Sequence, residues 1–194
     1  MSLLQPFSDQ IDRLHGTLAA PDNVVERRLS AMAAAYEDQD AVAALLREGD
    51  PLIYQVYEKK LPEVAGELQW CMSVTLPGRV GREYYMTKGH YHALRDTAEV
   101  YLCVRGCGFM LMQTEEGHCE LAAMKPDVVV HVPGRWAHRS INTGKEPLIS
   151  FCVYPAHAGH DYGTVETEGF LKRVVEIDGR PTVIDRTPAG AERG

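Results

Sequence analysis

Three histidines and one glutamate are the residues of this 194-residue chain best suited to hold a metal ion. His90 and His92 are separated by a single residue, and on an extended strand such side chains point to the same face. Glu99 begins an apolar run, and His138 follows a later one. A His-x-His pair by itself is also common on surfaces and in cores, so the prediction of a metal site depends on all four residues.

These ligands need rigid elements to bring them together, and the sequence pattern favours β-strands. Short apolar segments alternate with turn signals such as Pro77-Gly78 and Asp178-Gly179. Strands are expected at residues 53–57, 68–76, 83–86, 99–104, 108–113, 128–132, 148–153, 174–177 and 182–184. Many short strands with regular turns are typical of a sandwich or barrel, and ligands that converge from several strands favour a closed barrel.

The first 50 residues have a different pattern, and two helices are predicted there. One spans residues 24–32 after a capping Asp22 or Asn23, and the other spans residues 41–47 and ends at Gly49. We therefore expect three parts: a helical extension at 1–50 packed on the barrel, a β-domain at 51–185, and a disordered tail at 186–194.

Composition narrows the classes of function. The net charge of −7 argues against a nucleic-acid-binding surface, and no apolar run is long enough to cross a membrane. The N-terminus lacks the pattern of a secretory signal. Five cysteines without a CxxC pair indicate free thiols in a reducing compartment. A cytoplasmic protein that binds neither nucleic acid nor membrane is expected.

Two further segments have residue types that bind small molecules. Thr87-Lys88-Gly89 directly precedes the histidine pair, and its backbone amides, hydroxyl and ammonium group suit a phosphate, although a plain turn is the alternative. Residues 154–163 contain Tyr154, His160 and Tyr162 in a polar, glycine-rich stretch. This stretch suits the rim of a binding site, although its tyrosines could instead serve packing.

The metal ligands and their neighbours resemble the two-part signature of the cupin family: His-x-His, then Glu-x6-Gly, then Pro-x4-His-x3-Asn. Two positions differ from the usual pattern. Six residues separate His92 from Glu99, where most cupins have three or four, and Asp127 stands where the second motif usually has glycine. The resemblance implies an all-β cupin fold, a double-stranded β-helix or jelly-roll barrel, here with N-terminal α-helices.

Longer strings narrow the resemblance to one group, the cupin-type glucose-6-phosphate isomerases best known from archaea. The chain is similar to this group from about residue 24 to about residue 185. The matching strings include Thr87-Lys88-Gly89-His90-x-His92-Ala93, Ala98-Glu99-Val100-Tyr101, Val132-Pro133-x2-Trp136-Ala137-His138-Arg139 and Tyr154-Pro155-Ala156-x-Ala158-Gly159-His160-Asp161-Tyr162-Gly163.

This resemblance implies a role for each matching residue. The metal ligands would be His90, His92, Glu99 and His138. The substrate-binding residues would be Ser73, Thr87, Lys88, Gly89, Tyr101, Tyr154, His160 and Tyr162. The catalytic residues would be Glu99 as the base, with His160 or Tyr154 assisting the opening of the sugar ring.

The implied protein is a homodimeric metalloenzyme that interconverts glucose 6-phosphate and fructose 6-phosphate. Its cofactor would be one divalent ion per subunit, with Fe²⁺ favoured and Mn²⁺, Ni²⁺, Co²⁺ or Zn²⁺ also compatible with imidazole and carboxylate ligands. Two other functions stay open: a different metal-dependent cupin enzyme such as a dioxygenase, and a non-catalytic sugar-phosphate-binding protein.

Overall fold

Strands make up most of the secondary structure of residues 4–186, the part of the chain that the computed structural model describes. The strands are β1 (Ile11–Asp12), β2 (Thr17–Leu18), β3 (Asn23–Arg28), β4 (Leu52–Lys59), β5 (Leu68–Thr75), β6 (Arg79–Val80), β7 (Glu83–Tyr84), β8 (Glu99–Arg105), β9 (Gly108–Gln113), β10 (Cys119–Met124), β11 (Val129–Val132), β12 (Ala137–Asn142), β13 (Leu148–Pro155), β14 (Lys172–Ile177) and β15 (Arg180–Asp185). The helices are α1 (Gln39–Glu48), α2 (Gly163–Glu168) and a 3₁₀ helix at Leu29–Ala35.

Two sheets form the body of the molecule. The larger has the strand order β11-β8-β13-β5-β4-β3, and the smaller has the order β10-β9-β12. Their buried side chains share the same apolar clusters. In one of these, Cys103 and Val130 of the larger sheet pack with Met110 and Met124 of the smaller. The two sheets therefore enclose a common interior, and the predicted all-β barrel is confirmed.

Helix α1 lies where the sequence predicts a helix. The side chain of Asp38 accepts a hydrogen bond of 2.9 Å from the backbone N–H of Ala41, which satisfies a free donor of the first turn. Gly49 ends the helix, with its N–H donating to the carbonyl of Leu45. None of the helices within residues 4–186 is long and apolar enough to cross a membrane.

The prediction of a helix at residues 24–32 is wrong. Residues Asn23–Arg28 form β3, which pairs antiparallel with β4, and the 3₁₀ helix follows directly. The short stretch suits either structure by its pattern, and pairing with the edge of the larger sheet decides between them. The segment 1–50 is thus not a purely helical extension, because β3 is a strand of the main sheet. Residues 187–194 of the expected tail lie outside the described residues.

Candidate metal site

The histidine pair lies on an extended segment beside β12. This segment makes isolated bridges and no regular strand: His90 pairs with His138, Met86 pairs with Ile141, and Tyr91 pairs with Asp161. The side chains of this segment still alternate between two faces, as predicted. Tyr91 is buried against the apolar core on one side, while His90 and His92 contribute to a shared cluster on the other.

The four predicted ligands come together in one cluster. One potential ligand atom from each of His90, His92, Glu99 and His138 lies within 4.8 Å of the other three. Glu99 Oε2 is 3.2 Å from His92 Nε2 and 3.0 Å from His138 Nε2. The glutamate begins β8 of the larger sheet and His138 belongs to β12 of the smaller, so the cluster lies between the two sheets.

The surroundings of the cluster fit a metal ion. The Nε2 atom of His90 is buried and has no hydrogen-bond partner among the described residues, so its lone pair is free for an ion. His92 directs Nδ1 to Thr97, 3.0 Å from its carbonyl oxygen and 2.9 Å from its hydroxyl. Such a bond holds the imidazole orientation and leaves Nε2 facing the cluster.

The protonation states of the cluster also suit metal binding. Burial is the largest influence on the pKa of Glu99 and raises it, but hydrogen bonds from His138 and His92 outweigh burial and lower this pKa to about 2. Burial lowers the pKa of His90 well below its usual value. The site therefore offers an ionised carboxylate and a neutral imidazole at neutral pH, which are the forms that bind metal ions.

A cavity opens beside the cluster and brings together most of the residues predicted to bind substrate. Those that line it are Ser73, Thr87, Gly89, Tyr101, Tyr154, His160 and Tyr162. Other lining residues, among them Glu58 and Ser140, were not predicted from the sequence. Glu58 lies on β4 and Ser140 on β12, and no recognisable motif distinguishes either residue in the sequence.

The Thr87–Gly89 turn is held close to β12. The backbone N–H of Ser140 donates to Thr87 Oγ1 at 3.0 Å, and the Thr87 N–H donates to the Ser140 carbonyl at 2.9 Å. Gly89 has a φ of 78°, and a Cβ there would lie 2.6 Å from Phe170 and 3.0 Å from the carbonyl of His138. Only glycine allows this close approach.

Lys88 differs from the rest of the turn. Its ammonium group pairs with Glu166 and lies 5.4 Å from the centre of the Tyr162 ring. The residue lines a second cavity, on the other side of β12, and is not among the residues that line the metal cavity. The predicted role of Lys88 in binding substrate stays a prediction.

The segment after β13 supplies the aromatic wall of the metal cavity. The His160 ring is stacked on Tyr162 at 5.8 Å between ring centres, and it lies 4.5 Å from the His90 ring. Burial lowers the pKa of His160 and raises that of Tyr162 to about 12. The imidazole is thus neutral and the phenol protonated at neutral pH, so both can exchange or donate protons in the cavity.

Arg95 connects this segment to the metal ligands. Its guanidinium donates to Asp161 Oδ2 at 2.6 Å and to the carbonyl of His92 at 2.6 Å. Thr164 donates to the same carboxylate at 2.7 Å. These bonds hold the residues on either side of Asp161, including His160, against the metal cluster.

The Arg95–Asp161 pair predicts a pH-dependent contribution to stability. Hydrogen bonds from Arg95 and Thr164 lower the pKa of Asp161 to about 2, against about 3.9 in an unfolded chain. The contribution is therefore complete above about pH 4 and is lost as the pH falls towards 2. We expect Asp161→Asn to lower the free energy of unfolding by about 1 kcal/mol at pH 7. Urea denaturation at pH 7 and pH 3 measures this difference.

The matched control is Asp96→Asn, which removes an equally short pair with Arg135 whose side chains are 73% and 70% exposed. This variant is expected to have little effect at either pH. A difference between Asp161→Asn and the parent that is unchanged at pH 3 would contradict the assignment of the pair.

A family model described as glucose-6-phosphate isomerase (GPI) matches residues 26–187. The chain belongs to this family. Membership of the glucose-6-phosphate isomerase family confirms the predicted resemblance, and the matched range contains every predicted site residue.

Individual relatives agree with the family. Proteins named glucose-6-phosphate isomerase from Thermococcus gammatolerans and Thermococcus litoralis are 44% and 45% identical over 185 residues, which cover 95% of this chain and 97% of each relative. A bacterial relative of the same name, from Sinorhizobium medicae, is 34% identical over 91% of this chain and 83% of its own length. A solved structure of oxalate decarboxylase from Bacillus subtilis has a TM-score of 0.45 and 21% identity, over 55% of this chain and 26% of that chain.

Proposed function

We propose that this protein is a metal-dependent aldose–ketose isomerase that interconverts glucose 6-phosphate and fructose 6-phosphate. The observation that carries this proposal is the match to the glucose-6-phosphate isomerase family over residues 26–187. The geometry supports it, because a cluster of three imidazoles and a carboxylate borders a cavity lined by hydroxyl groups and a neutral histidine.

The metal would be held by His90, His92, Glu99 and His138. A divalent ion bound there supplies a Lewis acid that stabilises negative charge developing on sugar oxygens. The rest of the chemistry belongs to the side chains around it. The isomerisation removes a proton from C2 of the open-chain aldose and delivers a proton to C1, so the chain must provide a group that takes and returns it.

Glu99 is the proposed base, since it is ionised and is the carboxylate of the cluster. Its low pKa weakens it as a base, and direct transfer of hydride between C2 and C1 is the competing route. His160 and Tyr154 would exchange a proton with the ring oxygen during ring opening. Both line the cavity, where His160 is neutral because burial lowers its pKa.

The substrate phosphate would bind to the Thr87–Gly89 turn and Ser73. Binding energy from this remote group can position the reacting carbons, so its loss should affect catalysis as well as affinity. Thr87 and Gly89 line the metal cavity and directly precede His90, so a phosphate bound there would lie beside the ligand cluster.

Replacing Thr87 by alanine tests the phosphate site. The variant loses a hydroxyl that would bind a charged group, and such a hydrogen bond contributes about 1.5–3 kcal/mol. We therefore expect KM for fructose 6-phosphate to rise by about 10- to 150-fold in steady-state kinetics. Thr87→Ser keeps the hydroxyl and the bond from Ser140, so it should restore most of the affinity. Equal KM values for the parent and Thr87→Ala would place the phosphate elsewhere.

One assay separates this proposal from its two alternatives. Purified, metal-loaded protein is mixed with fructose 6-phosphate, and glucose 6-phosphate is measured with O₂ uptake as the control. An isomerase forms product without consuming O₂, a dioxygenase consumes O₂, and a binding protein does neither. Absence of glucose 6-phosphate under metal-loaded conditions would contradict the proposed activity.

The finer properties are also proposals. We favour Fe²⁺ as the native ion, with Mn²⁺, Ni²⁺, Co²⁺ and Zn²⁺ as substitutes, and elemental analysis of protein purified without added metal tests this choice.

A homodimer is supported by Val100 and Val129, which are 40% and 62% exposed on the adjacent strands β8 and β11. Light scattering measures the molar mass in solution and so tests the proposed homodimer. A cytoplasmic location is supported by five free thiols.

A further inference from the structure

Strand β12 separates two cavities, because its side chains alternate between them. His138 and Ser140 line the metal cavity, whereas Arg139 and Ile141 line the second cavity. The second cavity has a volume of about 220 Å³ and lies between β12, the 3₁₀ helix, α2 and β14. This volume has room for a small organic molecule, since a water molecule occupies about 30 Å³ of liquid.

Most of the basic side chains that line the second cavity are already neutralised. Lys88 pairs with Glu166, and Arg173 lies 2.6 Å from Glu83. Two of them, Arg139 and Arg186, have no carboxylate partner among the described residues, and Arg186 lies partly exposed and donates to the carbonyl of Glu168. Arg139, by contrast, is only 7% exposed.

The contacts of Arg139 within the described part of the chain include no carboxylate. It donates to the carbonyl of Lys88 and to the sulfur of Met86, and its Cζ lies 4.1 Å from the centre of the Phe170 ring. Its Nε atom is buried without a hydrogen-bond partner. An unpaired buried cation is costly, so a counterion in the adjoining cavity would stabilise this arrangement.

We propose that the second cavity binds a small organic carboxylate, whose carboxylate group pairs with Arg139 and whose apolar part contacts Phe170 and the neighbouring aliphatic side chains. The buried guanidinium of Arg139 matches the negative charge of a carboxylate and has the planar donor pattern that carboxylates bind. Walls formed by Leu111, Val165 and Val174 favour an apolar body over a purely polar anion.

Calorimetric titration of the metal-loaded protein tests the proposal with hexanoate, octanoate and benzoate, each compared with its neutral amide. At least one carboxylate should bind at least ~10-fold more tightly than its amide, because the amide cannot neutralise Arg139. Arg139→Met should weaken that binding by a similar factor. Arg82→Met, which changes an exposed arginine away from the cavity, should leave it unchanged.

A second variant keeps the test valid if Arg139→Met does not fold. Ala34 is exposed at the edge of the cavity, so Ala34→Trp should block entry, while Ala43→Trp on the exposed face of α1 should have no effect. A carboxylate bound at the metal would be insensitive to Ala34→Trp. Binding that persists in Ala34→Trp, or no binding of any of the three carboxylates to the parent, would overturn the proposal.

Discussion

Replacing His92 by alanine is expected to remove most of the bound metal and nearly all isomerase activity. The imidazole is 4% exposed, is held by Thr97 through Nδ1, and lies 3.2 Å from Glu99 through Nε2. Loss of one of four ligands should weaken metal affinity by at least the 10- to 100-fold typical of losing an outer contact. Elemental analysis after dialysis measures the metal content.

The matched control is His131→Ala. His131 is an exposed histidine of β11 that does not belong to the ligand cluster, so its loss should change neither metal content nor activity. Full metal content in His92→Ala would count decisively against this ligand assignment. Retained metal with lost activity would give His92 a different role, in the reaction and not in binding the ion.

Replacing Glu99 by glutamine is expected to lower kcat by about 10²- to 10⁴-fold, the loss typical of a missing general base, while much of the metal is retained. Glutamine keeps the shape and an oxygen donor but cannot accept the C2 proton. Metal content and steady-state kinetics are measured on the same preparation, so that a loss of ion is not mistaken for a loss of basicity.

Isotope exchange in the parent enzyme distinguishes the two routes. Proton abstraction by Glu99 allows the proton to exchange with solvent, so product formed in D₂O should contain deuterium at C1 or C2. A hydride shift transfers the substrate hydrogen without exchange. A Glu99→Gln enzyme with bound metal and near-parent kcat would exclude Glu99 as the base, and complete absence of solvent deuterium in the parent's product would favour the hydride shift.

The four residues predicted as ligands lie together in the structure, and their proximity could be predicted because the alternation of side chains along an extended segment is a local property. Asp127 shows how a departure from the usual motif can be harmless: its φ is 68°, the left-handed conformation that the usual glycine adopts readily and that aspartate tolerates. Helix α1 was predictable for a similar reason, since its capping residues Asp38 and Gly49 are adjacent in sequence to the helix they end.

Other elements could not be predicted because distant contacts determine them. Strand β12 was missed, although all six of its residues are buried. Its sequence Ala-His-Arg-Ser-Ile-Asn resembles a loop, since polar side chains face a cavity on each side. The pairing of Lys88 with Glu166 could not be predicted either, since Glu166 lies far along the chain on α2.

The side chains of β12 face two cavities in turn, and this arrangement restricts the mutations that the strand tolerates. Each face can vary by substitution without directly altering the other, so residues 139 and 141 can diverge while residues 138 and 140 are kept. A one-residue insertion or deletion within the strand, between Ala137 and His138, would instead shift the register and exchange the two faces. Arg139 would then enter the ligand cluster and the imidazole would leave it. We therefore expect relatives to differ in length within the loops on either side of β12 and to keep its length constant.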